Sequence, residues 1–187
     1  MKSYFSKVFG DLLNKIQNDN IREKTVDVWV LAAKEGGWEN VNDIEKMPFT
    51  LLTNTHGVSL IEHTIAVTKA AVAIADAITS TYKLPFEINY DYLYSGGLLH
   101  DVGKLLETEF KDGVYLKSEK GKCTRHPISG TVLAAKVGMP YEIQNIIACH
   151  AKEGEGAPKR IETILIHQAD FATFDPMVMF NNKTLIV

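Results

Sequence analysis

His100 and Asp101 stand side by side in the run GGLLHDVGK at residues 96–104, and five further histidines fall at positions 56, 63, 126, 150 and 167. Imidazole together with carboxylate suits Zn, Fe, Mn or Ni, and a hydrolytic site needs only a few such ligands with positions left open to water. Neighbours on a helix point about 100° apart and do not normally face one target. At a helix C-terminus, where Val102-Gly103 lets the chain turn, both side chains can converge on one ion. Asp170 lies amid apolar residues in Ile164–Phe171, where a carboxylate is expensive to bury unless it is paired or bound to a metal. A lone histidine on an apolar face is more often a satisfied core residue than a ligand. Several, in different elements and with a His-Asp pair among them, shift that balance toward a metal site.

The elements that must position these residues are helical by their periodicity. Phe5, Val8, Phe9, Leu12, Leu13 and Ile16 predict an amphipathic helix over 4–17, and Ile21, Thr25, Val28, Trp29 and Ala32 predict another over 21–35. Gly36-Gly37 breaks the pattern, and the stretch to Gly57, with Pro48 inside it, reads as loop or short helix. Ser59 and Glu62 form a capping box that opens a helix to about Thr79. Glu62, Lys69 and Asp76 are its wet stripe, and His63 shares a face with Val67, Ala70 and Ile74, so this helix should run through the middle of the domain. Further helices are expected over 89–101, 127–137, 140–150 and 159–174. Gly96-Gly97 costs about 1 kcal/mol per glycine within a helix and fits close packing against the helix that carries His63. Between them, 107–125 is polar and lysine-rich, with room for a small hairpin that uses residues 113–117 as one strand.

The reading is all-α, a single bundle of about seven or eight helices over residues 1–187. Residues 57–175 form its core motif region, 1–56 pack on that core as N-terminal helices, and 176–187 form an irregular tail. A net charge of −3 provides no global basic field for nonspecific nucleic-acid binding, and no apolar run approaches the ~18 residues a membrane span requires. The N-terminal residues carry charges throughout and show no secretory pattern. Cys123 and Cys149 are too few and too far apart for a disulfide framework, which fits reduced thiols and a cytoplasmic location. His56, before the capping box, reads as a solvated loop residue, and Cys149 as a packed thiol.

The run GGLLHDVGK resembles the signature of the HD superfamily of metal-dependent phosphohydrolases, and SLIEHTIAVTKAAVAIAD resembles the helix that presents that family's first metal-binding histidine. Downstream, a His-Pro at a helix start, a histidine after an apolar helix and an Ala-Asp follow in the order seen in ribonuclease Y and in HD-GYP-type catalytic domains. The resemblance implies that His63, His100, Asp101 and Asp170 hold one divalent transition metal (Fe, Mn, Zn, Ni or Co). His126 and His150 would be added for a second, with Asp101 bridging. It implies a phosphomonoester or phosphodiester substrate, a small molecule of nucleotide type, attacked by water that the metals activate. Lys104 matches the family's lysine and would act in catalysis with Asp101, contacting a substrate phosphate. Arg125 is expected to line the substrate pocket, His167 to line that pocket or to support the metal ligands from behind, unless it is ordinary surface, and 107–125 is either a lid or a solvated hairpin. The Gly-Tyr-Pro motif and the His-His pair of the HD-GYP group are absent here, so cyclic di-GMP is not supported as substrate. A di-iron oxygenase of the same fold and a regulatory domain that binds a nucleotide or a partner protein stand as the alternatives.

Overall fold

A computed structural model describes residues 1–186 and is helical apart from one small two-stranded sheet. Among the described residues there are eleven α-helices, seven of them seven residues or longer. Those seven correspond to the long periodic segments; of the four short ones, one lies within the predicted 4–17 segment and three are single turns that periodicity does not reveal.

The N-terminal segment does not form one helix over 4–17. It divides into α1 (Lys2–Val8) and α2 (Gly10–Leu13) around Phe9, whose backbone leaves the helical region at φ −97° and ψ 2°. Glycine at position 10 weakens helix continuation there, and the break lets Phe5 and Phe9 both pack on Trp29, each with ring centroids 5.2 Å from it. Trp29 lies on α3 (Asp19–Gly36), which Asn18 caps through the Ile21 N–H. It is fully buried and donates its indole N–H to the Leu98 carbonyl at 2.8 Å. That bond docks α3 one turn before the His-Asp pair. A short α4 (Val41–Glu45) follows, and Pro48 then bridges to Ser59.

Next comes α5 (Leu60–Thr81), with the Ser59/Glu62 capping box complete in both directions. It packs against α6 (Tyr90–Leu99) and α11 (Ile161–Asn181). His63 and Val67 are buried there, while Glu62, Ala66, Lys69, Ala73 and Asp76 remain exposed, so α5 covers one side of the core and does not run through its middle. The turn α7 (Lys104–Glu107) leads into strands β1 (Thr108–Lys111) and β2 (Val114–Lys117), paired antiparallel from Thr108↔Lys117 to Lys111↔Val114. Asp112 and Gly113 form the two-residue turn, both at positive φ (52° and 82°), as a tight hairpin with matching twist requires. The helices α8 (Glu119–Cys123), α9 (His126–Val137) and α10 (Tyr141–Cys149) follow, then one 3₁₀ turn at Lys152–Gly154.

The last helix continues through Pro176 to Asn181, past the 174 at which the sequence pattern stops it. Proline lacks the N–H that would bond the preceding turn, yet the helix holds. The irregular tail is therefore shorter than 176–187, and Val187 lies outside the described residues. No helix among the described residues is long and apolar enough to cross a membrane.

Two glycines set the distances between the helices that matter most. A Cβ on Gly97 would stand 2.7 Å from Thr68 Oγ1 and 3.1 Å from its Cα, so α6 lies directly against α5. A Cβ on Gly103 would stand 2.1 Å from the His126 carbonyl oxygen, so the turn after the His-Asp pair lies directly against α9. These approaches bring His63 and His126 to opposite sides of Asp101.

Candidate metal centre

Five side chains from four segments meet at Asp101, and all five are buried. His63 comes from the first turn of α5, His100 and Asp101 from the end of α6, His126 from the start of α9, and His150 from the end of α10. The two carboxylate oxygens of Asp101 face different partners. Oδ2 lies 3.4 Å from Nε2 of His63 and 3.4 Å from Nε2 of His100; Oδ1 lies 3.1 Å from Nε2 of His126 and 3.7 Å from Nε2 of His150. The result is two ligand triads, His63/His100/Asp101 and Asp101/His126/His150, with Asp101 in both. Asp170, on α11, adds an oxygen 3.1 Å from His63 Nε2, on the side of the first triad.

The outer ring nitrogens fix which nitrogen faces inward. His100 Nδ1 donates to the Gly97 carbonyl at 2.7 Å, His150 Nδ1 to the Ile147 carbonyl at 2.8 Å, and His126 Nδ1 to Glu107 Oε2 at 2.8 Å. With a proton held at Nδ1, each Nε2 is left as a lone pair aimed at the centre, the form in which imidazole binds metal. Nε2 of His63, His100 and His150 and Oδ1 of Asp101 have no hydrogen-bond partner although they are buried. Unpaired buried acceptors clustered on one point are costly on their own, and two divalent cations would satisfy them together. The donor set, imidazole nitrogen with carboxylate oxygen, suits Zn, Fe, Mn, Ni or Co alike.

The local electrostatics are already arranged for anionic carboxylates. Burial works against ionisation of Asp101, but the Lys104 ammonium and the imidazoles of His100 and His126 hold its carboxyl well below the usual range. Asp170 is partly buried, which works against ionisation, and contact with His63 brings it to about 2. Glu107 resists its own burial through His126 and Arg125 and also sits at about 2. Desolvation lowers the His126 imidazole despite Asp101 and Glu107, which favours the neutral ring a metal requires.

A cavity of about 870 Å³ opens over this centre, lined by His63, Asp101, Lys104, His126 and Asp170 among others. Lys104 reaches it with Nζ 2.6 Å from Asp101 Oδ2 and 2.7 Å from the Phe49 carbonyl. Arg125 lines the wall, 43% exposed, with Nε 3.3 Å from Glu153 and 3.7 Å from Glu107. The 107–125 segment forms part of the same wall through Thr108, Tyr115, Leu116 and Lys117. Its hairpin is tied down where the Tyr115 hydroxyl donates to the Asp43 carbonyl at 2.8 Å.

Of the positions open to His167, the structure shows the one behind a ligand histidine. It lies outside the cavity wall and donates from Nδ1 to the His150 carbonyl, while its ring packs on Phe171 with centroids 4.6 Å apart. One helical turn before Asp170 puts it behind His150, not in front of it. His56 is exposed on its loop and bonds Asn181 at 2.8 Å. Cys149 is buried and unbridged.

The family model for the HD domain matches residues 60–172. The chain belongs to the HD domain family. It is similar to a dihydroneopterin 2',3'-cyclic phosphate phosphodiesterase of Methanocaldococcus jannaschii, 29% identical over 174 residues that cover 86% of this chain and 66% of that protein. It is also similar to a ribonuclease Y of Fusobacterium nucleatum subsp. nucleatum, 29% identical over 116 residues, 62% of this chain and 18% of that one. The chain thus spans just under two thirds of the first relative and less than a fifth of the second. No solved structure matches it.

Two residues of this HD site are invisible to motif reasoning. Phe49, in the stretch read as loop, lies flat on the His63 ring at 4.4 Å with an interplanar angle of 15°, and its carbonyl holds Lys104. Glu107 accepts both the backbone N–H and the Nδ1–H of His126, at 3.0 and 2.8 Å. A signal for Glu107 existed in its position one turn beyond the lysine, but nothing local distinguishes it from the other acids of 107–125.

Proposed function

We propose that this chain is a metal-dependent phosphoric ester hydrolase, acting on a small-molecule phosphodiester of nucleotide type. The observation that carries the reading is the division of Asp101, one oxygen toward each imidazole pair, which suits two cations that share a carboxylate. The relatives support the ester class: one is named for a cyclic phosphate and the other as a ribonuclease.

In this reading His63, His100, Asp101 and Asp170 hold one divalent ion, and Asp101, His126 and His150 hold a second. Bound there, the ions supply Lewis acidity, acidifying a water and neutralising phosphoryl charge. The protein groups do the rest. The Nδ1 hydrogen bonds keep each imidazole fixed, so no reorganisation is needed when charge develops on the ester. The Lys104 ammonium, shared between Asp101 and the Phe49 carbonyl, stands at the cavity floor, where it can turn to a phosphoryl oxygen. Arg125 and Lys117 line the wall above it and favour an anionic ligand. Phe49 roofs His63 and keeps bulk water from its ring.

The test is turnover by protein reconstituted separately with Fe, Mn, Zn, Ni and Co, against nucleotides, cyclic phosphates and generic phosphoesters, with oxygen uptake followed in parallel. Metal-dependent release of a monoester from a diester supports the proposal. Oxygen consumption with no ester turned over by any metal form rejects it in favour of an oxygenase.

A further inference from the structure

The cavity lining combines two unlike sets of side chains. Lys104, Lys117, Arg125 and Lys152 are interleaved with acids. Leu51, Leu52, Phe171 and Phe174 line the same cavity. Leu51 and Leu52 are 45% and 75% exposed. Large apolar side chains left open beside a buried polar centre call for a ligand with an apolar surface of its own.

Phe49 does not offer that surface, because it is fully buried against His63. It backs the wall instead: Phe174 meets it edge to face at 6.2 Å and 88°. Phe171 is braced by His167 from behind. The aromatic wall is thus held in place by its own packing, with Phe171 and Phe174 only partly buried.

The position of this wall relative to the reacting group follows from the helix. Asp170, Phe171 and Phe174 share α11, and residues four apart lie on one face, separated by about 6 Å along the axis. An ester group seated over Asp101 and Asp170 therefore has Phe174 one helical turn away. A ring carried on a sugar or a similar short spacer reaches that distance, whereas a dialkyl phosphate has no ring to place there.

We infer that Leu51, Leu52, Phe171 and Phe174 form a subsite for a flat ring of the substrate, held one helical turn from the ester group. The inference rests on the hydrolase reading for the ester's position, and it adds a selectivity that the metal centre alone does not confer. Stacking on an aromatic side chain makes the ring worth about ten-fold or more in affinity.

The experiment compares KM on the metal-reconstituted full chain for four diesters: a dialkyl phosphate, bis(4-nitrophenyl) phosphate, a purine nucleoside 2',3'-cyclic phosphate and dihydroneopterin 2',3'-cyclic phosphate. At least one of the two spaced-ring esters is expected to show a KM about ten-fold or more below that of the dialkyl phosphate. That ratio should collapse toward one in Phe174→Ala and fall in Leu52→Ser, whose exposed position removes any concern about folding. Equal KM for all four esters, or an unchanged ratio in both variants, overturns the subsite while the hydrolase stands. Turnover of none of them rejects the hydrolase instead, and the subsite is then read by fluorescence titration with the ring compounds lacking phosphate. Binding weakened about ten-fold in Phe174→Ala sustains it there, and binding equal to wild type, or none in wild type, overturns it.

Discussion

Asp101 is the residue on which the most depends, because each proposed ion takes one of its oxygens. Asp101→Ala is expected to abolish binding of both ions, while His126→Ala leaves one, and elemental analysis of reconstituted protein reads the difference directly. Glu107 acts through His126: it accepts from Nδ1 and from the backbone N–H of the same residue. Glu107→Gln should weaken the ion at the second triad by about 10–100-fold, the usual cost of removing such an orienting carboxylate, with binding at the first triad held. Competition titration with a chelator resolves the two. Lys104→Met should keep both ions, since the lysine is no ligand, yet lower phosphoester turnover by about 10²-fold for one lost electrostatic contact. Retention of full turnover would make Lys104 only a neighbour of Asp101. At this scale the sequence was informative about residues whose type is unusual for its setting. His63 on an apolar face, Asp170 in an apolar helix and the His100-Asp101 pair stand out, and the structure brings them together with His126 and His150. His167 stands out equally by type but points the other way, since one residue on a helix decides which side of His150 it meets. Phe49 and Glu107 were illegible because their roles depend on a backbone carbonyl and on a partner 19 residues away, neither of which leaves a local pattern.

Among the elements, the long helices were legible because burial follows their period. Phe5, Phe9, Leu12, Leu13 and Ile16 are all buried, as are Ile21, Thr25, Val28, Trp29 and Ala32. The break at Phe9, the single turns α4, α7 and α8 and the extension through Pro176 were not, since tertiary packing decides them against local preference. The turn α7 matters most of these, because it carries Lys104 and Glu107 past the metal centre. Gly103 is what allows it to approach α9. Gly103→Ala puts a methyl where the His126 carbonyl stands, with backbone and not a flexible side chain in the way. Overpacking of this kind costs about 1–3 kcal/mol, and the strain falls on the turn that holds His126. The variant should melt several degrees lower and bind the second ion more weakly than the first. Calorimetry together with metal stoichiometry checks both parts. Loss of stability with both ions still bound at wild-type strength would show that α9 relaxes without moving the site.

For the molecule as a whole, the metal centre stands where four segments distant in sequence join: α5, the α6–α7 turn, α9 and α10. Each contributes a buried ligand, and four atoms of the cluster, from α5, the α6–α7 turn and α10, have no hydrogen-bond partner within the protein. A buried polar group left unsatisfied costs about 1–3 kcal/mol, so the fold carries a local penalty that cations would remove while joining the segments. Metal should therefore stabilise the native state by mass action, about 2.7 kcal/mol per ion at a hundred-fold excess over Kd. In a chain of this length each kcal/mol moves the melting temperature by about 2–4 °C, so one ion is worth roughly 5–11 °C. Differential scanning calorimetry after exhaustive chelation is expected to show a drop of at least that size, reversed by adding back Mn, Zn or Fe. The ligands bind as neutral imidazole and ionised carboxylate, so proton competition sets the direction with pH. The metal-dependent increment should shrink as pH falls below the ordinary histidine range and persist above it. Asp101→Ala protein should melt at one temperature with or without metal, because the shared ligand is gone. A wild-type melting temperature indifferent to chelation and to added metal would mean that the cluster is held by hydrogen bonds and ion pairs alone, and the hydrolytic reading would fall with it.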